Sequence, residues 1–518
     1  MFQFQFPKDT TSYWRDSIDV GTYPSIDEDM SFDVGIVGGG ITGITLAYLL
    51  SDYDLSVCVI DSDQLLSGTT GNTTAKVTTQ HGVIYDELIT NYGLDITQGY
   101  YLANKRAQDF IYDTITKHNI DCDYKEANSI LYTMEGQNRT KIENEMKAYE
   151  KLSITGDIIS STELPFSTIS ALKMEKQAHF HPLRYLKYLI DYCLENSVSF
   201  FENSRALAID YLTKPTIVCE NEHRITCKYV VQASHYPFFD GQQFFPLKMY
   251  AERAYALLAK TEKTVDDMYL SIDETVRSIR PANVNDETYL IVAGENHRTG
   301  DSELSTSDHY ELLASFTDQH FQISHIENFW SAQDHTTLDK IPYVGTITKE
   351  KQNVLVATGY RKWGMTNGTN AAIIMKNLIL QEEDEFVDVF APYREMKFDP
   401  GLKKIVSYNV EVAKHLLKGK FDATNEEINL LRNDDAIITM IDGQRIGVYK
   451  DDMGELHAVD TTCTHLGCEL DWNEAEKSWD CPCHGSRFSY EGDVLNGPAV
   501  KNLQKREDIV KKHQLIKQ

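Results

Sequence analysis

The stretch DVGIVGGGITG, residues 33–43, sets the tightest limit on how this 518-residue chain folds. The apolar run 32–37 reads as a short buried strand and 41–51 as the helix after it. Between them stand Gly38, Gly40 and Gly43 in Gly-x-Gly-x-x-Gly spacing. Glycine serves there for the tight turn, for close approach to a pyrophosphate, and for packing of helix on strand. The helix start offers free N–H groups and a partial positive charge to phosphate. A second apolar strand, LSVCVID (55–61), ends at Asp61, 18 residues after Gly43. A carboxylate at that place accepts from ribose hydroxyls. Strand, turn, helix, strand and acid in this order predict a dinucleotide site.

At this length several domains are expected rather than one core. Residues 1–30 are polar and irregular. Helical patterns are expected near 98–118, 139–152 and 183–196, and strands at IVCE, KYVVQAS and TYLIVAG between 217 and 293. NVLVATG (353–359) reads as a further buried strand and 368–380 as a helix. Strands separated by helices predict an α/β unit with a mostly parallel sheet, spanning 31–385. An acidic stretch, two prolines and a glycine then mark a linker over 386–422, with one connecting helix at 402–418. From 423 to 518 short strands and Gly/Asn/Asp turns predict a small all-β domain.

Fifty Lys and Arg stand against 78 Asp and Glu, a formal net charge of −28. That balance argues against nucleic acid, whose binders replace counterions along the phosphates, and against anionic membrane surfaces. The start of the chain has no basic and then apolar signal pattern. No apolar run reaches the roughly 20 residues that span a bilayer; the longest, IVGGGITGITLAYLL, is broken by four glycines. A cytoplasmic location is expected, with Cys58, Cys122, Cys193, Cys219 and Cys227 reduced and packed as small apolar groups.

The continuation LLSGTTGNTTAK resembles the D-amino-acid-oxidase and glycine-oxidase-like family of FAD-dependent oxidoreductases. WSAQDHTTLDKIPYVG followed by VLVATGYRKWGMTNGTNAA is similar to that family's closing flavin segment. HFHPLRYLKYLI and VVQASHYP match it more loosely, and Ala233-Ser234-His235 departs from the usual Ala-Thr-Gly. The resemblance implies a Rossmann-type FAD-binding domain interleaved with an α+β substrate domain. It places Gly38, Gly40, Ile41, Thr42, Gly43, Asp61, Thr69, Thr70 and Thr74 around the cofactor, and Gly359, Gly364, Met365 and Thr366 beside its ring. Where some relatives attach FAD covalently through Cys or His, this chain has Ala332 and Asn72, so non-covalent FAD is expected.

Cys463-x-His465 and Cys481-x-x-His484, 15 residues apart, form the second cluster of chemistry-bearing residues. Two thiolates and two imidazoles suit tetrahedral zinc as well as iron, so the ligand set alone leaves both open. The boxes CTHLGC and CPCHGS, with NGPAV after them, resemble the Rieske [2Fe–2S] family. That resemblance implies Cys463 and Cys481 on one iron and His465 and His484 on the other. Neutral imidazoles leave such a cluster less negative and readier to accept an electron. It also implies a Cys468–Cys483 disulfide, as in the cytochrome bc type, and a Ser486 hydroxyl near a sulfide. Phe488 stands where that type carries a tyrosine.

A flavin that takes two electrons and a cluster that passes one make a converter between the two kinds of chemistry. The first expectation is oxidation of a C–N bond of an amine or amino acid, with electrons leaving singly to an external acceptor. Lys362 and Arg280, the latter as a carboxylate clamp, are the candidate catalytic residues, with Trp363 near the ring. His335 reads as a hydrogen-bonded loop histidine. The alternative is an electron-transfer protein relaying between a carrier and a partner, with no amine substrate.

Overall fold

The computed structural model describes residues 4–211, 213–302, 304–394, 409–410, 412 and 428–516. The connecting helix expected at 402–418 lies outside the described residues except for helical positions 409, 410 and 412. Among the described residues no helix is long and apolar enough to cross a membrane.

The strand predicted at the glycine turn is Met30–Val37, and it sits inside an eight-stranded sheet. Its neighbours, in order, are Tyr343–Thr346, Val354–Thr358 and Arg224–Gln232 on one side and Val57–Ile60 and Ser199–Phe201 on the other. Four consecutive pairings from Val354–Thr358 to Ser199–Phe201 are parallel. Such strands are covered on both faces and read as unbroken apolar runs, as VCVI does. Helix Ile41–Leu50 is buried along almost its whole length and packs on helix Gly364–Leu380. That second helix begins four residues before its expected start, because Thr366, Asn367 and Gly368 weaken the helical signal of its first turn. Gly368 permits the crossing, since a Cβ there would lie 2.9 Å from both Ile41 and Thr42.

The second sheet has nine strands and is antiparallel apart from one pair. Its two longest members, Met249–Thr261 and Ile323–Thr337, pair from Met249↔Thr337 to Thr261↔Ile323. Successive side chains of a strand point to opposite faces. Ala251, Arg253, Ser331, Gln333 and His335 therefore share one face, and Glu252, Ala332, Asp334 and Thr336 the other. Both faces are put to use, as described below.

Residues 4–30 pack against this unit. Trp14 is 2% exposed, and its indole N–H donates to the Thr73 carbonyl at 2.7 Å. The small domain has a three-stranded and a four-stranded antiparallel sheet. The all-β expectation omits one element, the helix Glu507–Ile516.

Candidate functional site

A cavity of about 470 Å³ opens where the glycine turn meets the C-terminal ends of the parallel strands, the usual place for ligands in such sheets. Gly38, Gly40, Ile41, Thr42, Asp61, Thr69, Thr70, Gly364 and Met365 line it. Gly43, Gly359 and Thr366 stand behind the wall, and Thr74 lines a neighbouring cavity. The turn is tight: a Cβ on Gly38, whose φ is +116°, would strike the Ala233 carbonyl. A Cβ on Gly43 would strike the carbonyl of Gly38. Thr70 Oγ1 accepts from Ile41 N–H at 3.0 Å, and Asp61 Oδ2 accepts from Gly39 N–H at 2.7 Å. Burial pushes the Asp61 carboxyl up to about 6 against the lowering effect of that bond. This is a pyrophosphate cradle with an acid beside it, and it fits FAD. Ala332 and Asn72 also line the cavity, and neither has a nucleophilic atom.

A second cavity of about 380 Å³ shares Thr69, Asn72, Thr73, Trp330, Ala332, Asp334 and Lys362 with the first. Lys362 stands at this seam. Its N–H donates to Asp334 Oδ2 at 2.5 Å, and its ammonium lies 3.7 Å from Glu252. Arg361 and Lys362 both hold positive φ, 50° and 67°, a strained pair of the kind that gathers at functional sites. Trp363 stacks on His81 at 4.8 Å. Burial and Arg361 push His81 down to about 3, so its ring stays neutral.

Arg280 is placed differently from the clamp expected of it. It is 1% exposed, lines neither cavity, donates to the carbonyls of Thr74 and Pro281, and lies over the Trp14 ring. Sequence reasoning missed Lys76. Its ammonium lines the second cavity, is bonded only to the Tyr269 carbonyl at 2.8 Å, and has no carboxylate partner among the described residues. Burial and the nearby Arg280 pull it down to about 7.

In the small domain Cys463, Cys481 and His484 are buried and His465 is half-buried. The two histidine rings lie 5.1 Å apart and nearly perpendicular. Cys463 and Cys481 share a hydrogen bond that favours the Cys463 thiolate. His484 Nδ1 is buried with no partner, a cost that metal coordination removes. These four side chains fit a cluster. A disulfide joins Cys468 to Cys483, whose Cα atoms are 6.5 Å apart, and so ties the two loops together. Ser486 is fully buried, and its Oγ accepts from Ala499 N–H at 3.0 Å.

The profile of the family described as FAD dependent oxidoreductase matches residues 33–378. The chain belongs to that family. A Rieske [2Fe-2S] domain matches residues 423–507, completing a flavin domain and a Rieske domain in one chain. A Rieske 2Fe-2S iron-sulfur protein, YhfW, of Bacillus subtilis (strain 168) is 42% identical over 95% of this chain and 97% of its own length. Gamma-glutamylputrescine oxidoreductase of Escherichia coli (strain K12) is 23% identical over 76% of this chain and 94% of its own. The flavin domain has the fold of glycine oxidase from Geobacillus kaustophilus, with a TM-score of 0.60 at 15% identity, over 71% of this chain and 99% of that one.

The Rieske domain docks on the face of the long strands turned away from the second cavity. Gln333 Nε2 donates to the Gly485 carbonyl at 2.8 Å, and Gly485 rests on Ala251. Arg253 and Arg487 of the two domains grip Glu476 and Asp480 in one buried network, with bonds of 2.8, 2.6 and 3.0 Å. Rieske residues Leu495–Val500, Glu476 and Arg487 form part of the wall of the FAD cavity. No sequence motif announces this shared wall, because its two sides lie more than 100 residues apart.

Proposed function

We propose that this protein oxidises a C–N bond of a small amine or amino acid and passes the electrons singly through the cluster to an external one-electron acceptor. The observation that carries this reading is the seam at Ala332, Asp334 and Lys362, where a cavity of substrate size shares its wall with the cofactor cavity. When bound, FAD accepts a hydride equivalent and the Rieske cluster accepts single electrons. The chain's own residues bind and orient. Glu252 faces the seam with a carboxylate suited to an ammonium group, and Lys76 offers a buried positive charge to a carboxylate. Trp330, Trp363 and Tyr250 supply apolar wall that keeps water from the reacting carbon. Lys362 is a catalytic residue in this proposal, held at the seam by its bond to Asp334. FAD is held without a covalent bond. A relative named gamma-glutamylputrescine oxidoreductase supports an amine substrate, and the shared fold of a glycine oxidase agrees with it.

The test is anaerobic mixing of the purified protein with primary, secondary and N-methylated amines and amino acids. Flavin absorbance and the EPR signal of the cluster are followed together. One compound should bleach the flavin, with the reduced cluster appearing afterwards. If chemical reductant fills both centres and no amine touches the flavin, the reading falls and relay between a carrier and a partner replaces it.

A further inference from the structure

One strand separates the two kinds of chemistry in this molecule. On Ile323–Thr337, Asp334 faces the second cavity and the seam, while its neighbour His335 faces the docked Rieske domain. Gln333, two residues back on the same face, holds the carbonyl of Gly485, the residue after cluster ligand His484. At a second point the contact is backbone on backbone, since a Cβ on Gly300 would lie 2.8 Å from Pro482 N and 3.0 Å from the Asp480 carbonyl. The cluster loop is therefore seated on the flavin domain with His484 turned inward, 4% exposed.

His335 itself is 1% exposed, and neither of its ring nitrogens has a partner. A buried imidazole without any hydrogen bond is costly and asks for an explanation. Its ring lies 4.6 Å from that of His235 and 5.0 Å from that of Tyr236, and both of these residues line the FAD cavity. Across the strand pair it stands opposite Ala251, the residue on which Gly485 rests, one position after His484. His235 is half-buried, with its Nε2 buried and unpartnered, and it holds a positive φ of 64°. The loop histidine that sequence alone reads as hydrogen-bonded thus stands between a histidine of the cofactor cavity and the strand position that carries the cluster loop.

We propose that His335, with His235, bridges the FAD cavity and the cluster, so that electrons cross from one to the other through this packed pair and enter at His484. The inference rests on the proposed function, in which the two centres exchange electrons. Hydride loss from the C–H of the carbon bearing nitrogen, with the N–H proton going to water, yields an imine, which water hydrolyses to a carbonyl and an amine, and delivers two electrons. These leave one at a time along the bridge and reduce two equivalents of a one-electron acceptor such as ferricyanide. A route of packed side chains couples two sites only while its members stay in contact.

The experiment uses the full chain loaded with FAD and cluster, each verified by absorbance and iron content. A blue-light pulse with EDTA as donor reduces the protein's own flavin without any substrate. Cluster reduction is then followed by absorbance and EPR in the parent protein, His335→Leu and His335→Phe, with the cluster potential titrated in each. The Leu variant should slow internal transfer by about tenfold and the Phe variant, which keeps a packed ring, by no more than about twofold. The cluster potential and FAD content should match the parent in both. Parent-like transfer in His335→Leu overturns this inference alone. Equal slowing in both variants with a shifted potential also overturns it, because the effect would then be one of tuning or docking. A parent protein whose cluster is never reduced after the pulse overturns the proposed electron outlet itself.

Discussion

Lys76 carries its ammonium into the wall of the second cavity with one backbone carbonyl bonded to it. Its folded proton affinity, about 7, lies below the ordinary lysine value near 10.4. Between those values the unfolded chain binds more protons than the folded one, so stability rises with pH across that window. The slope from one such group reaches about 1.4 kcal/mol per pH unit. Lys76→Met should remove that share of the slope. Urea denaturation at about pH 7.5 and about pH 9.5 measures it, and equal slopes in parent and variant would refute the assignment. Nothing in TTAKVTT marks this lysine as buried, because a lysine among threonines in a short segment reads as surface. Cys463, His465, Cys481 and His484 are legible for the opposite reason: metal ligands must come close together, and two tight boxes bring them there. Arg280 misleads because its guanidinium, next to Pro281, is taken up by backbone carbonyls that no sequence pattern reveals.

At the scale of elements, the strand–turn–helix at Met30–Leu50 is legible because three glycines, an apolar run and Asp61 all depend on one geometry. The strand Met249–Thr261 is harder to read. MYAERAYALLAKT does not alternate cleanly, since cavity and docked domain cover both of its faces. Its pairing partner and facing therefore come only with tertiary structure. The cluster loop makes the facing testable. Gly485 has a φ of +78°, and a Cβ there would strike the Ala251 side chain and approach Gln333 Nε2 to 3.0 Å. Gly485→Ala should destabilise the protein by about 1–3 kcal/mol through overpacking. Adding Ala251→Gly should recover part of that loss in a double-mutant cycle read by denaturation. Strict additivity of the two changes would show that the loop does not rest on that strand.

For the whole molecule, the division into a flavin domain and a Rieske domain follows from their motifs. Their seating on each other does not, because Arg253 meets Glu476 across 223 residues of chain. The network balances two guanidiniums against two carboxylates in a buried place, so removing one partner strands a charge. Glu476→Gln should cost about 3–5 kcal/mol in chemical denaturation. That cost should change little between low and high salt, as screening reaches buried pairs weakly. A loss below about 1 kcal/mol, the worth of an exposed pair, would mean that the domains do not hold this contact. The wall that Leu495–Val500 gives to the FAD cavity also sets an order of events at birth. A ribosome releases the glycine turn long before it releases that wall, so the nascent chain presents a cavity with one side open. The cavity is therefore complete only once the last-made domain has taken its seat.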